Sequence, residues 1–570
     1  MDTLSLKSHY DTVRTGRGGK MQKVSIRLQN EQRSIDSGTR VYEILKEIHT
    51  EDDTMPVVAA RVNNELVSLS YKIEVNASIE PVAINSEDGS RIVRRSLCFL
   101  LAMVSQKLFP DRRLVISHSL GDAYFYYYDG IAEIDHKDIQ KIETAMRNSG
   151  DIPIVRKVIS YEDAVALFDA TNQTYTSLLL TFRNDPKIAI YSCGEYNELS
   201  YEPLVPSLGF LKTFEIMKYG PGLLLRYPEA SDPFRMPEFK DNPMLFSIYQ
   251  EYKAWGKILN VQSAGRLNEL ASSRAIQQFI NVAEALHNKK IAEISDRIAE
   301  RKESVKVVLI AGPSSSGKTT FAKKLAIQLQ VLGFNPVPIS LDDYFVERDR
   351  TPRDENGQYD FESIDAIDVR LLNENLLDLF SGKTVEIPEF DFKSGSRKPE
   401  GKKLNLDRRS IIILEGIHGL NDRLTPRIAR DKKYKIYISA LTQLNLDDRN
   451  RISTTDNRLL RRLVRDYQFR GHSALQTFEM WPSVRRGENK NIFPFQDNAD
   501  SAINSALDYE LAVLKIFAEP LLRMVKPHDF CYNEAMRLLA FLQNFVPISP
   551  SYVPDQSILR EFIGDSAFKY

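Results

Sequence analysis

Three cysteines are all this 570-residue chain carries: Cys98, Cys193 and Cys531. They lie far apart and form no Cys-x-x-Cys. That excludes a disulfide framework or zinc ribbon and fits a reducing compartment, so a cytoplasmic location is expected. Long apolar runs are also missing. The longest, around Leu97–Val104, is too short to cross a bilayer, and no membrane partner is expected. Met1 to Lys20 is polar and lacks the apolar core of a secretory signal. Charge of one sign is missing too: 76 Lys and Arg face 77 Asp and Glu, for a net charge of −1. No global basic field draws the chain to nucleic acid, so RNA contact would need a local patch. There are no repeats and no low-complexity tracts.

What is present is length and one dominant motif. A chain this long implies several domains. Lys306-Val307-Val308-Leu309-Ile310-Ala311 reads as a short apolar strand. Gly312-Pro313-Ser314-Ser315-Ser316-Gly317-Lys318-Thr319 follows, then Thr320 and the helical pattern Phe321–Ala326. Strand, Gly-x-x-x-x-Gly-Lys-Thr and helix in that order make a P-loop in its required context. Gly312 and Gly317 let the backbone wrap a phosphate. The N–H groups of Ser314, Ser315, Ser316, Thr319 and Thr320, with the helix N-terminus, face the anion. Lys318 reaches the β/γ phosphates and the Thr319 hydroxyl suits Mg²⁺, so ATP and Mg²⁺ are the expected cofactors.

The front of the chain reads differently. Residues 1–20 form a loose tail. Val24–Leu28 alternates like a half-buried strand, Val41–Ile48 has helical spacing, and Val57–Val62, Asn63-Asn64 and Glu65–Val67 read as a hairpin. A small αβ module therefore occupies 21–85. Ala59–Val67 resembles the TGS module of threonyl-tRNA synthetases, a β-grasp domain. Ile92–Leu101, Lys107–Pro110 and Gly121–Tyr127 then follow the order of that family's second additional, editing domain, an α+β unit placed at 86–241. The family's editing site uses His-x-x-x-His and a later Cys and His. Here Arg95 and Phe99 take the first pair of places, and Ser200 and Leu204 the later ones. Phe and Leu neither ligate a metal nor shuttle a proton, so this domain is expected not to edit. Residues 242–303 read as a helical connector with an apolar stripe from Leu267 to Ile294.

Residues 304–570 alternate apolar strands and helices, the pattern of a parallel α/β sheet. The expected strands are Val307–Ala311, Val337–Leu341, Ile411–Leu414 and Tyr434–Ser439. Loop acids after such strands face bound phosphates. The segments Asp342-Asp343-Tyr344-Phe345, Tyr359–Asp368, Ile387–Phe392 with Ser396-Arg397, Leu414–Ile417 and Arg461–Asp466 with Arg470-Gly471 resemble the uridine kinase / phosphoribulokinase family. The whole is thus expected to be an α/β and α+β multidomain chain ending in a P-loop NTPase fold.

That resemblance implies roles. Asp342 accepts the proton of the attacking hydroxyl, with metal binding or helix capping as its alternatives and Asp343 as its neighbour in competition. Glu415, with Thr319, holds Mg²⁺. Asp360 binds ribose hydroxyls, Phe390 and Arg397 line the acceptor site, and Arg462, Arg465 and Arg470 neutralise the moving phosphoryl charge. Four arginines at 458, 461, 462 and 465 cannot all point one way, so some are structural. Two departures blur the base: Phe390 stands where uridine kinases offer Tyr, and Gly395 where they offer His. The implied activity is transfer of the ATP γ-phosphate to a nucleoside 5′-hydroxyl. A sugar-phosphate acceptor and an RNA- or ribosome-associated nucleotide switch are the alternatives. A homo-oligomer is expected by the same resemblance.

Overall fold

The computed structural model describes residues 22–28, 31–46, 55–354, 357, 359–391 and 394–569. The expected tail, the end of the 41–48 helix and Phe392 lie outside them. In the C-terminal half five parallel strands form one sheet, in the order Asn335–Ser340, Ser410–Glu415, Val307–Ala311, Lys433–Ser439, Ser501–Asn504. The first strand of this half is central and every one of its residues is buried. The chain leaves it to one side and returns to the other, which opens a crevice at the carboxyl ends of the central strands.

The strand Ser501–Asn504 was not legible as one. It is only four residues long, Ser-Ala-Ile-Asn; it pairs in parallel with Lys433–Ser439 along its whole length, and a side chain extends the contact. The Asn504 carboxamide accepts from Leu441 N at 2.8 Å and donates to Leu441 O at 2.7 Å.

In the connector region, the helix Ala275–Ala299 lays Ile276, Phe279, Ile280, Ile291 and Ile294 into the same core as Phe321, Leu325 and Leu329 of the helix after the P-loop. It is thus a covering layer of the parallel sheet rather than a free spacer. The helix Pro243–Ile258 reaches both halves: Ile248 and Tyr249 pack with Leu441, and Phe246 packs on Phe125.

The front half holds three further sheets with more than two strands. In the first, Glu31–Asp36, Lys23–Leu28, Ala77–Ala83, Val57–Val62 and Glu65–Val67 pair in that order. Asn63 and Asn64 both take positive φ, 51° and 63°, which gives the hairpin a turn that matches strand twist. A four-stranded antiparallel sheet and a three-stranded one follow, packed around the long helix Glu87–Leu108. The hairpin touches the C-terminal half: Asn64 Nδ2 donates to Pro527 O at 2.8 Å, and Leu66 N donates to the Asn533 side chain at 3.2 Å.

His287 on the covering helix is buried, and its Nε2–H donates to Asn504 O at 3.0 Å. Burial, helped by the nearby Lys324 charge, pushes the imidazole down to about 3, against about 6.5 in an unfolded chain. Between those values the unfolded chain binds the extra proton, so stability is lost as pH falls below about 6.5. Denaturant unfolding at pH 7 and pH 5 should show that loss in the wild type and a smaller one in His287→Gln. An equal loss in both would assign the acid sensitivity elsewhere.

Candidate active site

The P-loop has its amides turned inward and its carbonyls turned back, and each set has found partners. A Cβ on Gly312 would strike the Ile438 carbonyl, so only glycine lets the loop leave the central strand there. Gly317 has φ +84° and abuts Ile558, whose Cγ2 would lie 2.6 Å from a Cβ. Behind the loop, Arg458 Nε donates to Ser314 O at 2.9 Å and Arg461 Nη1 to Ser315 O at 3.2 Å. Arg458 pairs with Glu488, and Arg461 with Glu510. All four of these side chains are buried, so this pair of arginines is scaffold. Arg462 Nη1 donates to Ser314 Oγ at 2.8 Å and its Nε faces Asp466 at 3.2 Å.

Asp466 organises the rest of the helix Thr454–Arg470. Arg465 donates to its Oδ1 from Nε at 3.0 Å and from Nη2 at 2.7 Å, and Arg470 stands 3.6 Å away. Burial opposes ionisation of Asp466, yet Arg465, Arg462 and Arg470 together hold its carboxyl below the usual range. The three expected lid cations are therefore gathered by one carboxylate. Of these three, Arg470 has the most exposed side chain, at 51%.

On the phosphate side Lys318 Nζ donates to Gly312 O at 3.0 Å and Pro313 O at 3.2 Å. Burial pulls its pKa down, while Glu415, and more weakly Glu561 and Asp342, push it up. Thr319 Oγ1 donates to Glu415 Oε1 at 3.1 Å. Burial raises the Glu415 carboxyl to about 7, against the pull of Lys318. Among the described residues no cluster of three His, Cys, Asp or Glu could cage a metal. One hydroxyl and one carboxylate side by side instead fit Mg²⁺, which keeps waters and phosphate oxygens and needs few protein ligands.

Asp342 lies in the turn Leu341–Tyr344, which Ser340 caps by accepting from Asp342 N at 3.2 Å. Asp342 is therefore not the cap. It opens onto the cleft, and the dense surroundings push its carboxyl up against the pull of Lys318 and Arg470. Asp343 turns away: its carboxylate accepts from the Phe390 N–H.

The acceptor side differs from expectation in its details. Asp360 Oδ1 accepts from Glu362 N at 3.2 Å. Glu362 is the carboxylate that feels Arg462, Lys318 and Asp342, and burial raises it to about 7. Arg397 is spent on the backbone, donating to Phe345 O at 3.1 Å and Tyr344 O at 3.3 Å, with Asp368 at 3.3 Å. Phe390 is buried against Phe345, with ring centroids 5.7 Å apart. At Gly395 (φ +70°) a Cβ would meet the Arg348 guanidinium at 2.6 Å, so Arg348 fills the space beside that position. Glu488, Glu510 and Glu561 lie outside every segment that the sequence singles out, whereas Glu362 and Asp466 lie inside Tyr359–Asp368 and Arg461–Asp466 without a role assigned to either. Trp481, on the helix Ala474–Asn491 that also carries Glu488, packs beneath Arg458, whose guanidinium lies 5.6 Å from its ring centroid.

In the editing-like domain, Arg95 pairs with Glu198 and donates to Asn450 Oδ1 at 2.9 Å and Leu199 O at 3.3 Å. Phe99 is buried edge-on to Tyr196 at 5.0 Å, Ser200 Oγ donates to Glu202 O at 2.9 Å, and Leu204 is buried. None of these four positions offers a metal ligand pair or a proton shuttle. Asn450 belongs to the C-terminal half, so this spot is a joint.

Sheet order and loop give the C-terminal half the architecture of a P-loop nucleotide-binding module. Residues 307–512 match the Phosphoribulokinase / Uridine kinase family. The N-terminal region is similar to threonine–tRNA ligases. That of Desulforamulus reducens is 32% identical over 183 residues, 32% of this chain and 29% of the ligase. That of Nitratidesulfovibrio vulgaris is 26% identical over 229 residues, 40% and 34% respectively. The chain thus spans about a third of the length of these ligases. Among solved structures, one described as a possible uridine kinase from Bacillus stearothermophilus is 17% identical, with a TM-score of 0.26, covering 38% of this chain and 100% of its own. A D-glycerate 3-kinase from Cryptococcus neoformans is 14% identical, with a TM-score of 0.23, covering 45% and 87%.

Removing Arg95 leaves Glu198, 1% exposed, as a buried charge without its partner. Arg95→Ala is expected to cost about 3–5 kcal/mol in denaturant unfolding. The double variant Arg95→Met with Glu198→Leu should recover much of that. A cost under about 1 kcal/mol for the single variant, the range of an exposed pair, would show that the joint does not rest on this pair.

Proposed function

We propose that the protein transfers the γ-phosphate of ATP to a hydroxyl of a small acceptor, and that the acceptor is a nucleoside phosphorylated at its 5′-hydroxyl. The observation that carries this reading is the convergence of Asp342, Glu362 and Glu415 around Lys318, at the carboxyl ends of the sheet. Such a set separates the tasks of phosphoryl transfer, which consists mainly of positioning and charge compensation. Lys318 and the loop amides hold the donor phosphates. Thr319 and Glu415 would hold Mg²⁺, which would neutralise phosphate charge there. Asp342 accepts the proton of the acceptor hydroxyl as its oxygen bonds to the γ-phosphorus. The bond to the β–γ bridging oxygen breaks, and ADP leaves. A carboxyl raised by its surroundings is a better base than an ordinary one, though water in the open cleft tempers the rise. Arg465 and Arg470, oriented by Asp466, compensate the charge of the moving phosphoryl group.

Two observations favour a nucleoside. Tyr359 and Phe361 stand partly exposed, at 36% and 39%, with ring centroids 5.9 Å apart, and Phe345 and Phe390 lie behind Phe361. These faces suit a flat base. A phosphorylated sugar would want an available cation on this side, and Arg397 is committed to carbonyls and Asp368. Glu362, fixed by Asp360, would take the ribose diol.

ATP consumption should be screened over nucleosides and sugar phosphates with wild type and Asp342→Asn. A nucleoside should give a 5′-monophosphate, and Asp342→Asn should lower kcat by about 10²–10⁴-fold. Product from none of the acceptors, or full rate in Asp342→Asn, would overturn the reading.

A further inference from the structure

The segment that closes the chain does not stay clear of the P-loop. It runs back from the helix Tyr532–Leu542, and its short helix Arg560–Ile563 lies between the helix after the P-loop and the lid helix Thr454–Arg470. Phe562 is fully buried beneath the Arg461 guanidinium, 4.9 Å from its ring. Ile558 lies against Gly317. From this platform Glu561 Oε2 accepts from Thr320 N at 3.1 Å and from Thr320 Oγ1 at 2.6 Å.

Thr320 is the third residue of the helix whose first turn faces the anion. Its N–H belongs to the first turn, whose amides have no acceptor within the helix and make a helix N-terminus an anion site. Lys318 addresses the β/γ end of a nucleotide, so the amide after Thr319 faces the end nearer the nucleoside. A carboxylate of the chain already holds that donor. Glu488 also touches the loop, accepting from Ser314 N at 3.0 Å, but Arg458 and Arg485 pin it in place. Glu561 makes no ion pair among the described residues. It is held by one amide, one hydroxyl and the field of the helix end, and Lys318, Lys323 and Arg470 lie near enough to feel its charge.

We infer that Glu561 is an intramolecular competitor of the nucleotide: its carboxylate occupies a phosphate-facing amide of the P-loop, and ATP or ADP displaces it on binding. The inference rests on the nucleotide reading of the loop and goes beyond it by tying the C-terminal segment to loop occupancy. Glu561→Gln keeps the shape and removes the charge, and Glu561→Ala removes the group. With the full chain, calorimetric titration of ADP and of ATP should give Kd values about threefold to tenfold lower in both variants than in wild type, the effect of removing one charge from a helix N-terminus. Equal or weaker binding in the variants overturns the competitor role and leaves the kinase reading standing. Binding of neither nucleotide to any of the three proteins overturns both. In wild type, hydrogen exchange over residues 555–569 should rise when ADP is added, as the carboxylate lets go. A fall or no change would mean that the segment clasps the nucleotide or ignores it, and it overturns the inference without reliance on a variant's folding.

Discussion

The buried charge lattice behind the P-loop is the constraint on which the catalytic half depends. A loop that turns its amides toward an anion must turn its carbonyls the other way, into protein, where each needs a donor. Arg458 and Arg461 supply those donors to Ser314 O and Ser315 O. Two guanidinium ions so deep in the structure would be intolerable alone. Glu488 and Glu510 neutralise them, and all four side chains are at most 2% exposed. Such pairs add little net stability, since desolvation offsets attraction, but removing one partner is costly. The loop, the helix Thr454–Arg470, the helix Ala474–Asn491 carrying Glu488 and the helix Glu510–Arg523 are therefore coupled in folding. This is why the P-loop module extends well beyond the loop itself.

The same logic governs the joint between the halves. The loop Leu444–Ile452 leads into the lid helix, and the front half grips it from several sides. Asn450 Nδ2 reaches Leu199 O at 3.1 Å, Thr176 Oγ1 reaches Asp447 Oδ2 at 3.1 Å, and Asn445 Nδ2 reaches Ile116 O at 2.6 Å. Arg449 donates to Tyr196 and Gln106. Arg95, at a position where the synthetase pattern has a histidine, contributes its guanidinium to this grip. Here that guanidinium is enclosed by Glu198 of the front half and by Asn450 of the C-terminal half, so the spot is a polar contact between the two.

Local patterns carried the fold far. The buried run Val307–Ala311, the Asn63-Asn64 turn and the apolar stripe on the covering helix each follow from residue types within a few positions. The P-loop was legible for the same reason, because glycine, lysine and threonine at fixed spacing determine its shape. The carboxylates that complete it were not. Glu488, Glu510 and Glu561 lie roughly 170 to 250 positions from the loop, and nothing in their own neighbourhoods marks them off from solvated acids. Asp466 was read as part of an arginine-rich helix, but its role depends on being buried under three cations at once. Asp360 and Glu362 are both acidic and two residues apart, and only the turn that points Asp360 at Glu362 N tells them apart.

The charge balance of the cleft follows from this arrangement. Glu415, Asp342, Glu362 and Glu561 share a space whose main local counter-charges are Lys318 and the arginines held by Asp466. Burial, with the mutual repulsion of these acids added to it, raises Glu362 and Glu415 to about 7. A bound polyphosphate would add to that repulsion, and a divalent cation beside Thr319 and Glu415 would relieve it. Arg462 and Arg470, which already act on Glu362 and Asp342, would relieve it from the other side, so donor, cation and arginine helix would be electrostatically coupled.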